Sequence, residues 1–561
     1  MHTPLSHRFT RLILPLALCA LPSFAGAQTS GTPGAGSILR ESETVRPPVE
    51  PRRENLSLPA ASESAPSADA EERLFVPAFH VRNAEPLAAE VEALLAPYVG
   101  RSLSMAEIDA ALRQVTAFFR ARGYPLANAW LPPQDVDKSG ALTVEVAIGR
   151  YGEVTIQNET PVRDTPIRNL YRRLRPGEAV RHADLERAFL LTSDLAGVAL
   201  PRVAVRPGQA PGTSDFQLTV PAGKRWQGFA VYDNQGSRYT GRHRLGAGVD
   251  LNSPFGLGDK LSLSGVYGHG SAREMTSARL AYAAPLTFVD GLRFDVAVDR
   301  TTYELGDQYA PLDATGTANS VEAGLRYAAI RSQDRNLEFG ARFTARRLRD
   351  EIDVADFTTE KHVRSGEAMA HFDQWGKLAG RALYGALDLR YVWGRLDFDD
   401  AEQRAANRLG ANTQGHFRRL ALDAAVNYAL TPRLTLSATV SAQRALGKSL
   451  DGSEQLTITG PRGVRAYRES ISGDNGYFID LEARHTLPPV AGLTHALSVF
   501  AGTGKVWFER PEFAVDNNIR VSDAGIAYYA SREPLFLRVK FAHKIGSQPE
   551  ERVAMRDGKT H

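Results

Sequence analysis

Few residues of this chain have the types and spacing that catalysis requires. The stretch Gly447-Lys448-Ser449 looks like the end of a phosphate-binding loop, but that loop needs a glycine where Ala442 stands. The sequence contains no Gly-x-Ser-x-Gly nucleophile turn and no His-Glu-x-x-His zinc motif, and its 13 histidines are scattered. We therefore expect no enzymatic activity, no cofactor and no bound metal.

The first residues predict export from the cytoplasm. Arg8 and Arg11 precede an apolar run over residues 12–21, and Ala25-Gly26-Ala27 follows it. A basic start, a short apolar run and an Ala-x-Ala site are typical of a cleaved signal peptide. The run is too short to span a membrane permanently. We expect residues 1–27 to be a signal peptide that is cut near Ala27.

Charge and cysteine content exclude further kinds of partner and binding site. The 67 Lys and Arg residues nearly balance 64 Asp and Glu, for a formal charge of +3, so we expect no nucleic-acid partner. The single cysteine, Cys19, lies inside the predicted signal peptide, which leaves no disulfide or thiolate metal site afterwards. No later segment reaches 18 consecutive apolar residues. An exported chain of this kind is either soluble or a β-barrel.

After the predicted signal peptide, the sequence predicts a linker and two small modules. Residues 28–71 are rich in Pro, Ser and Ala and predict an extended linker, with one island around Ile38-Leu39-Arg40 that suits a few helical turns. Residues 72–149 and 150–222 each predict an α+β module of similar plan, which indicates a repeat.

Within the modules the pattern predicts individual elements. In the first, a strand over residues 74–81 precedes a helix that Ser104-Met105-Ala106-Glu107 opens as a capping box. In the second, helices are predicted over residues 167–174 and 182–194.

From residue 223 to the end, long strands alternate between apolar and polar positions. Leu420, Leu422 and Val426 share one face of a strand, and Arg419 and Asp423 share the other. Repeated strands of this length, with aromatic residues near their ends, are typical of a transmembrane β-barrel. A soluble sandwich with an apolar inner face is the alternative. Fifteen strands are predicted, the last near residues 534–545.

Four stretches, in order, resemble the two-partner secretion transporters, the haemolysin-activator family, over essentially the whole mature chain. The first stretch is Arg122-Gly123-Tyr124 with Leu131-Pro132-Pro133-Gln134-Asp135, and the second is Asp184-Leu185-Glu186-Arg187-Ala188 with Asp194-Leu195-Ala196-Gly197-Val198. The third is Asp233-Asn234-Gln235-Gly236 with Gly256-Leu257-Gly258-Asp259. The fourth is Gly463-Val464-Arg465-Ala466-Tyr467 with Ser472-Gly473-Asp474-Asn475-Gly476-Tyr477. The resemblance implies two α+β POTRA domains in series, residues 72–149 and 150–222, followed by a transmembrane antiparallel β-barrel over residues 223–561. A loop around residues 460–474 would enter the barrel lumen.

The resemblance also implies a function. Such a protein recognises a large secreted exoprotein, of adhesin, haemolysin or toxin type, in the periplasm through its POTRA domains and exports it unfolded through the barrel pore. A helix with Ile38, Leu39 and Arg40 would plug the pore. Outer-membrane lipid would surround the barrel, and the barrel-assembly machinery would insert it. A barrel-assembly insertase is the alternative, although it usually carries more POTRA domains; a passive porin or receptor would need none.

Two positions depart from the family pattern. In relatives the loop arginine, here Arg465 between Val464 and Tyr467, pairs with the aspartate of a Phe-x-Asp stretch, but the matching stretch here ends in Gly502. Alternation places Asp480 and Glu482 on one face of the strand after the loop, so Arg465 is expected to pair with either of them.

The chain end is the second departure. Family barrels have sixteen strands, yet no apolar alternation remains after Gly546. Either an earlier segment holds two strands or the last strand is missing, which would leave an open edge in lipid.

Overall fold

A computed structural model describes most of the chain. The described residues are 33–42, 45, 53, 73–85, 87–134, 141–270, 274–467, 470–510, 512 and 517–546. The predicted signal peptide and most of the predicted linker lie outside them. Across these described residues, no helix has the length and apolar character that crossing a membrane would need.

A short helix and an α+β module come first. Their elements are α1 (Ala35–Ser42), β1 (Arg73–Val76), β2 (Phe79–Arg82), α2 (Ala88–Leu95), β3 (Arg101–Ser104), α3 (Met105–Ala121), β4 (Asn128–Trp130) and β5 (Leu142–Ala147). The sheet order is β2-β5-β4, and β1 pairs with β3. The predicted capping box of α3 is confirmed: Glu107 N–H donates to the Ser104 hydroxyl, and Ser104 N–H donates to the Glu107 carboxylate. That backbone hydrogen bond lowers the pKa of Glu107.

One predicted element of this module is wrong. The single strand expected over residues 74–81 is two strands, β1 and β2, which belong to different sheets. Pro77 stands between them, and a proline has no N–H to give to a strand ladder. Helix α2 had no sequence prediction.

The second module repeats this plan. Its elements are β6 (Arg150–Asn158), α4 (Asp164–Leu170), α5 (His182–Ser193), β7 (Arg202–Pro207) and β8 (Thr213–Val220). β8 is the central strand, parallel to β6 and antiparallel to β7. The helix predicted over residues 167–174 is misplaced: it begins earlier, where Asp164 suits the positive end of a helix, and ends at Leu170.

The rest of the chain forms one antiparallel sheet of 15 strands, the number that the sequence pattern predicts. The elements are β9 (Trp226–Asp233), β10 (His243–Asn252), β11 (Lys260–His269), β12 (Glu274–Pro285), β13 (Leu292–Glu304), β14 (Ala314–Arg331), β15 (Arg335–Ile352), β16 (Phe357–Leu378), β17 (Arg381–Phe398), α6 (Ala401–Leu409), β18 (Gly415–Ala429), β19 (Leu434–Ala445), β20 (Leu456–Thr457), β21 (Ser472–Gly473), β22 (Asn475–Thr486), β23 (Thr494–Trp507), β24 (Ile519–Arg532) and β25 (Leu535–Ile545). β20 and β21 pair separately, and each other strand pairs with its sequence neighbours. Within the described part of the chain, no strand follows β25.

The two faces of this sheet have opposite character. On β13, Val296 and Val298 are exposed, whereas Ala297 and Thr301 are buried. The buried side is polar and carries ion pairs between strands, namely Arg279–Asp299, Arg293–Glu338, Arg326–Asp295 and Arg390–Asp423. An exposed apolar face around a polar interior is the arrangement of a transmembrane barrel. It excludes the soluble sandwich, whose inner face would be apolar.

The second module docks on one end of the barrel. Arg187 of α5 donates to the backbone carbonyl of Ala328, in β14, at 2.6 Å and to that of Asp290, in the turn between β12 and β13, at 3.1 Å. Arg331 pairs with Asp194 at 2.7 Å. We call the end of the barrel that carries these contacts the module end and the opposite end the outer end.

Candidate functional site

The connection between β19 and β22 folds back into the barrel interior from Ser449 onward, over residues 449–467 and 470–474. Its tip packs Val464 and Tyr467 against Phe478 of β22, and all three side chains are buried. A side chain on Gly463 would place its Cβ 2.3 Å from the Ile458 carbonyl oxygen, so only glycine allows this turn. The folded-back region is longer than the predicted residues 460–474. We call it the lumen loop.

Arg465 at the loop tip meets Asp480. Its Nη1 donates to Asp480 Oδ1 at 2.6 Å, and its Nη2 donates to Oδ2. A two-point pair of this kind is stronger and more directional than a single ion contact. The guanidinium also lies 4.4 Å from the centre of the Phe500 ring. Glu482, the other carboxylate considered for this role, pairs instead with Arg484 at 3.2 Å.

Sequence reasoning missed a second carboxylate, Asp523 on β24. It accepts hydrogen bonds from the backbone N–H of Arg465 at 2.6 Å and of Ala466 at 3.0 Å. Asp480, Gly502 and Asp523 stand directly opposite one another across three strands. A Cβ on residue 502 would lie 2.8 Å from Asp523 Oδ1. The glycine that replaces the family aspartate therefore leaves room for a carboxylate one strand further along.

A signal for Asp523 was present in the sequence. Val521, Asp523 and Ala527 alternate on one face of the strand, and an acid on an inward face needs a partner. Asp523 lies beyond both the strand after the loop and the Phe-x-Asp stretch, the two places where the family pattern and alternation put a partner for Arg465.

Asp523→Ala is expected to loosen the loop tip, because two backbone donors lose a charged acceptor. A hydrogen bond to a charged group contributes about 1.5–3 kcal/mol, so exposure of the tip should rise by roughly tenfold or more. The measurement is the rate at which a thiol reagent labels an introduced Ala466→Cys. Ser522→Ala, the neighbouring outward position, is the matched control. Equal labelling rates in both variants would contradict this role of Asp523.

Helix α1 lies across the interior near the outer end of the barrel. Ile38 and Leu39 are 1% and 3% exposed and belong to one apolar cluster with Tyr303 and Leu348 of the wall. Ala35 N–H donates to the Asp350 carboxylate at 2.7 Å, which holds the start of the helix to β15.

The other end of α1 is held by two charged residues. Arg40 donates to the carbonyls of Gly452, at 2.7 Å, and Gln455 in the lumen loop. Glu41 accepts from Ser237 N–H at 2.8 Å, between β9 and β10. The helix is thus fixed to opposite sides of the barrel and to the lumen loop.

The lumen loop is itself tied to the wall by buried ion pairs. Glu454, 2% exposed, binds Arg346 of β15 at 2.7 Å and Arg419 of β18 at 3.0 Å. Asp451 binds Lys361 of β16 at 2.9 Å. Helix and loop are both held in the interior by hydrogen bonds, ion pairs and apolar packing.

One group of side chains has the composition of a cation site. Glu360, His362 and Asp399 lie close together near the outer end of the barrel. Glu360 already binds the Arg347 guanidinium at 2.7 Å, and His362 contacts Asp399 at 3.1 Å. These contacts account for the cluster as surface ion pairs.

Comparisons with known proteins agree with this architecture. The family model for the haemolysin secretion/activation protein ShlB/FhaC/HecB matches residues 212–524, and the ShlB-type POTRA domain model matches residues 76–149. The heme/hemopexin transporter protein HuxB of Haemophilus influenzae strain 86-028NP is 25% identical over 510 residues, 88% of each chain. The outer membrane transporter CdiB of Dickeya dadantii is 25% identical over 398 residues, 68% of this chain and 67% of that one.

Solved structures share the fold. CdiB from Escherichia coli superposes with a TM-score of 0.68 at 18% identity and covers 97% of both chains. BamA from Haemophilus ducreyi, lacking POTRA domains 1–3, gives a TM-score of 0.52 at 14% identity over 85% of this chain and 97% of that one. With the family model matching more than half of its residues, the chain belongs to the haemolysin secretion/activation family, the two-partner secretion transporters of the outer membrane.

Proposed function

We propose that this chain exports one large partner exoprotein, of adhesin, haemolysin or toxin type, in unfolded form through its barrel. One observation carries the proposal. A polar barrel with POTRA domains at one end holds, in its interior, two segments fixed only by hydrogen bonds, ion pairs and apolar packing. A permanently open channel would not need two segments inside its pore. Segments that served only as a structural core would be expected to pack on an apolar wall, whereas this wall is charged.

The POTRA domains suit an extended client. Each domain has a three-stranded sheet with two edge strands, β2 and β4 in the first and β6 and β7 in the second. An edge strand offers backbone donors and acceptors to a chain that adds beside it, with little demand on sequence. The docked second domain would keep one such edge at the barrel entrance.

The proposed setting follows from the surfaces. The module end faces the periplasm, the exposed apolar face contacts outer-membrane lipid, and the barrel-assembly machinery inserts the barrel. Export of the chain itself would use the signal peptide, cleaved near Ala27. The interior wall pairs its own charges between strands, which would keep the path hydrated and limit adhesion of the client.

Co-expression with a candidate partner, a large exoprotein from the same genome, tests the proposal. We expect that protein in the culture medium when this chain is present and in the periplasm when it is absent. A chain lacking residues 73–147 is the matched control and should insert without exporting. Retention of the exoprotein in the periplasm despite a folded barrel, together with weaker assembly of other barrels when this chain is removed, would favour the insertase instead.

A further inference from the structure

The outward face of the barrel carries a trough that runs from β13 to β18 and the residues directly after β19. Its cavity volume is about 1180 Å³, and it is mostly apolar. Small residues form the floor, including Ala323, Ala341 and Gly366, and large ones rise beside it, including Phe343 and Trp393. Trp393 stands directly opposite Gly366 and lies over it, since a Cβ there would be 2.5 Å from the indole ring.

A row of basic residues borders the outer side of this trough. Arg364 on β16, Arg395 on β17 and Arg418 on β18 each occupy the first charged outward position beyond the apolar band. His416 and Lys448 complete the border. The border lies on the side of the trough nearer the outer end of the barrel, away from the POTRA domains.

The register of the sheet brings these groups together at an energetic cost. Arg364 stands directly opposite Arg395, and Arg395 directly opposite His416. Two positive charges in directly opposed positions, as at Arg364 and Arg395, destabilise a sheet. An anion bound between them would remove that cost.

The neighbouring carboxylates do not neutralise all of these cations. Asp397 binds Arg395 at 2.8 Å, and Glu360 and Asp399 are engaged with Arg347 and His362. Within the described ranges, the Arg364 and Arg418 guanidinium groups are exposed and make no ion pair. Lys448 donates to the Gln414 carbonyl.

We propose that the trough binds an anionic lipid of the outer leaflet that carries a phosphomonoester, with the phosphate on Arg364, Arg395 and Arg418 and an acyl chain along the floor. Arginine presents a planar fork of donors that matches phosphate oxygens. The apolar floor lies directly beside the cations, with Phe343 and Trp393 54% and 45% exposed, so one ligand that carries both a phosphate and an acyl chain matches both parts of the trough. The proposal depends on the outer-membrane orientation of the barrel and is independent of export.

Native mass spectrometry of the full chain in detergent tests this site, with diphosphoryl lipid A as the probe and phosphatidylethanolamine as the comparison lipid. We expect one retained lipid A. The double variant Arg364→Gln/Arg418→Gln should bind about tenfold more weakly, since two charge-assisted contacts are lost. The control Arg300→Gln/Lys505→Gln removes two outward cations elsewhere on the barrel and should bind normally. Heat-modifiable migration on gels verifies that each barrel is folded.

A second variant examines the apolar part. Ala341→Phe fills the trough and leaves every cation in place, so lipid A retention should fall while the barrel stays folded. Equal retention of lipid A by the double variant and its control would overturn the proposal. So would equal binding of phosphatidylethanolamine, or displacement of lipid A by millimolar inorganic phosphate with no effect of Ala341→Phe, which would indicate a simple anion site.

Discussion

Replacing Arg465 by alanine is expected to abolish export while a folded barrel remains in the membrane. The substitution removes the two-point pair with Asp480 and leaves that carboxylate buried without its cation. Breaking a buried pair in this way costs about 3–5 kcal/mol. That cost falls on the loop tip, because the barrel wall keeps its own backbone ladder. The measurement is the exoprotein in the medium relative to the wild type, with a drop of roughly tenfold or more.

The lumen loop provides a matched control for this experiment. Arg462 lies three positions away, and its side chain is exposed at the loop tip. Arg462→Ala should export normally, because no buried partner depends on it. Normal export by Arg465→Ala, with the barrel shown to be inserted, would contradict the anchoring role of the arginine.

The double variant Arg40→Ala/Glu41→Ala is expected to open the pore. It removes the hydrogen bonds that tie the end of α1 to the lumen loop and to the β9–β10 connection. The hydrogen bonds of these two charged side chains together contribute several kcal/mol, enough to shift the helix from mostly bound to mostly free. We expect a higher single-channel conductance in planar bilayers and greater sensitivity of cells to a large antibiotic that the intact outer membrane excludes.

Ser37→Ala is the matched control for this second variant. The Ser37 hydroxyl donates only to the Gly34 carbonyl, within the same segment. Its removal should leave conductance unchanged. An unchanged conductance in the double variant would mean that apolar packing of Ile38 and Leu39 alone keeps the helix in place.

The sequence anticipates the barrel well, because a strand in lipid must alternate residue by residue. Leu420 and Arg419 fall on the faces that alternation assigns them, outward and inward. The strand over residues 74–81 was wrong for an equally local reason, since Pro77 splits it. In contrast, α2 packs against a neighbouring helix and sheet that its own composition does not reveal.

The site was less accessible to sequence reasoning. Alternation reduced the partners of Arg465 to Asp480 and Glu482 but could not rank them, because the depth that the loop tip reaches is a tertiary property. The sequence pattern does not indicate that Asp523 binds the loop. This carboxylate lies two strands away from Asp480, and it accepts hydrogen bonds from backbone N–H groups of the loop. Register across several strands is set by the pairing of all the strands between them and not by the sequence of one strand.

Residues 43–72 join α1 to the first POTRA domain. If α1 plugs the pore as proposed, this covalent connection determines how the pore closes again after the helix has left it. Arg40 and its acceptor Gln455 are 415 positions apart, so this contact forms only after the surrounding sheet exists. Once displaced, however, the helix cannot diffuse away, because residues 43–72 keep it attached. A covalently attached segment is held near its binding site at an effective concentration on the order of millimolar. Resealing is therefore a first-order event, and its rate is independent of how many copies of the transporter the membrane holds.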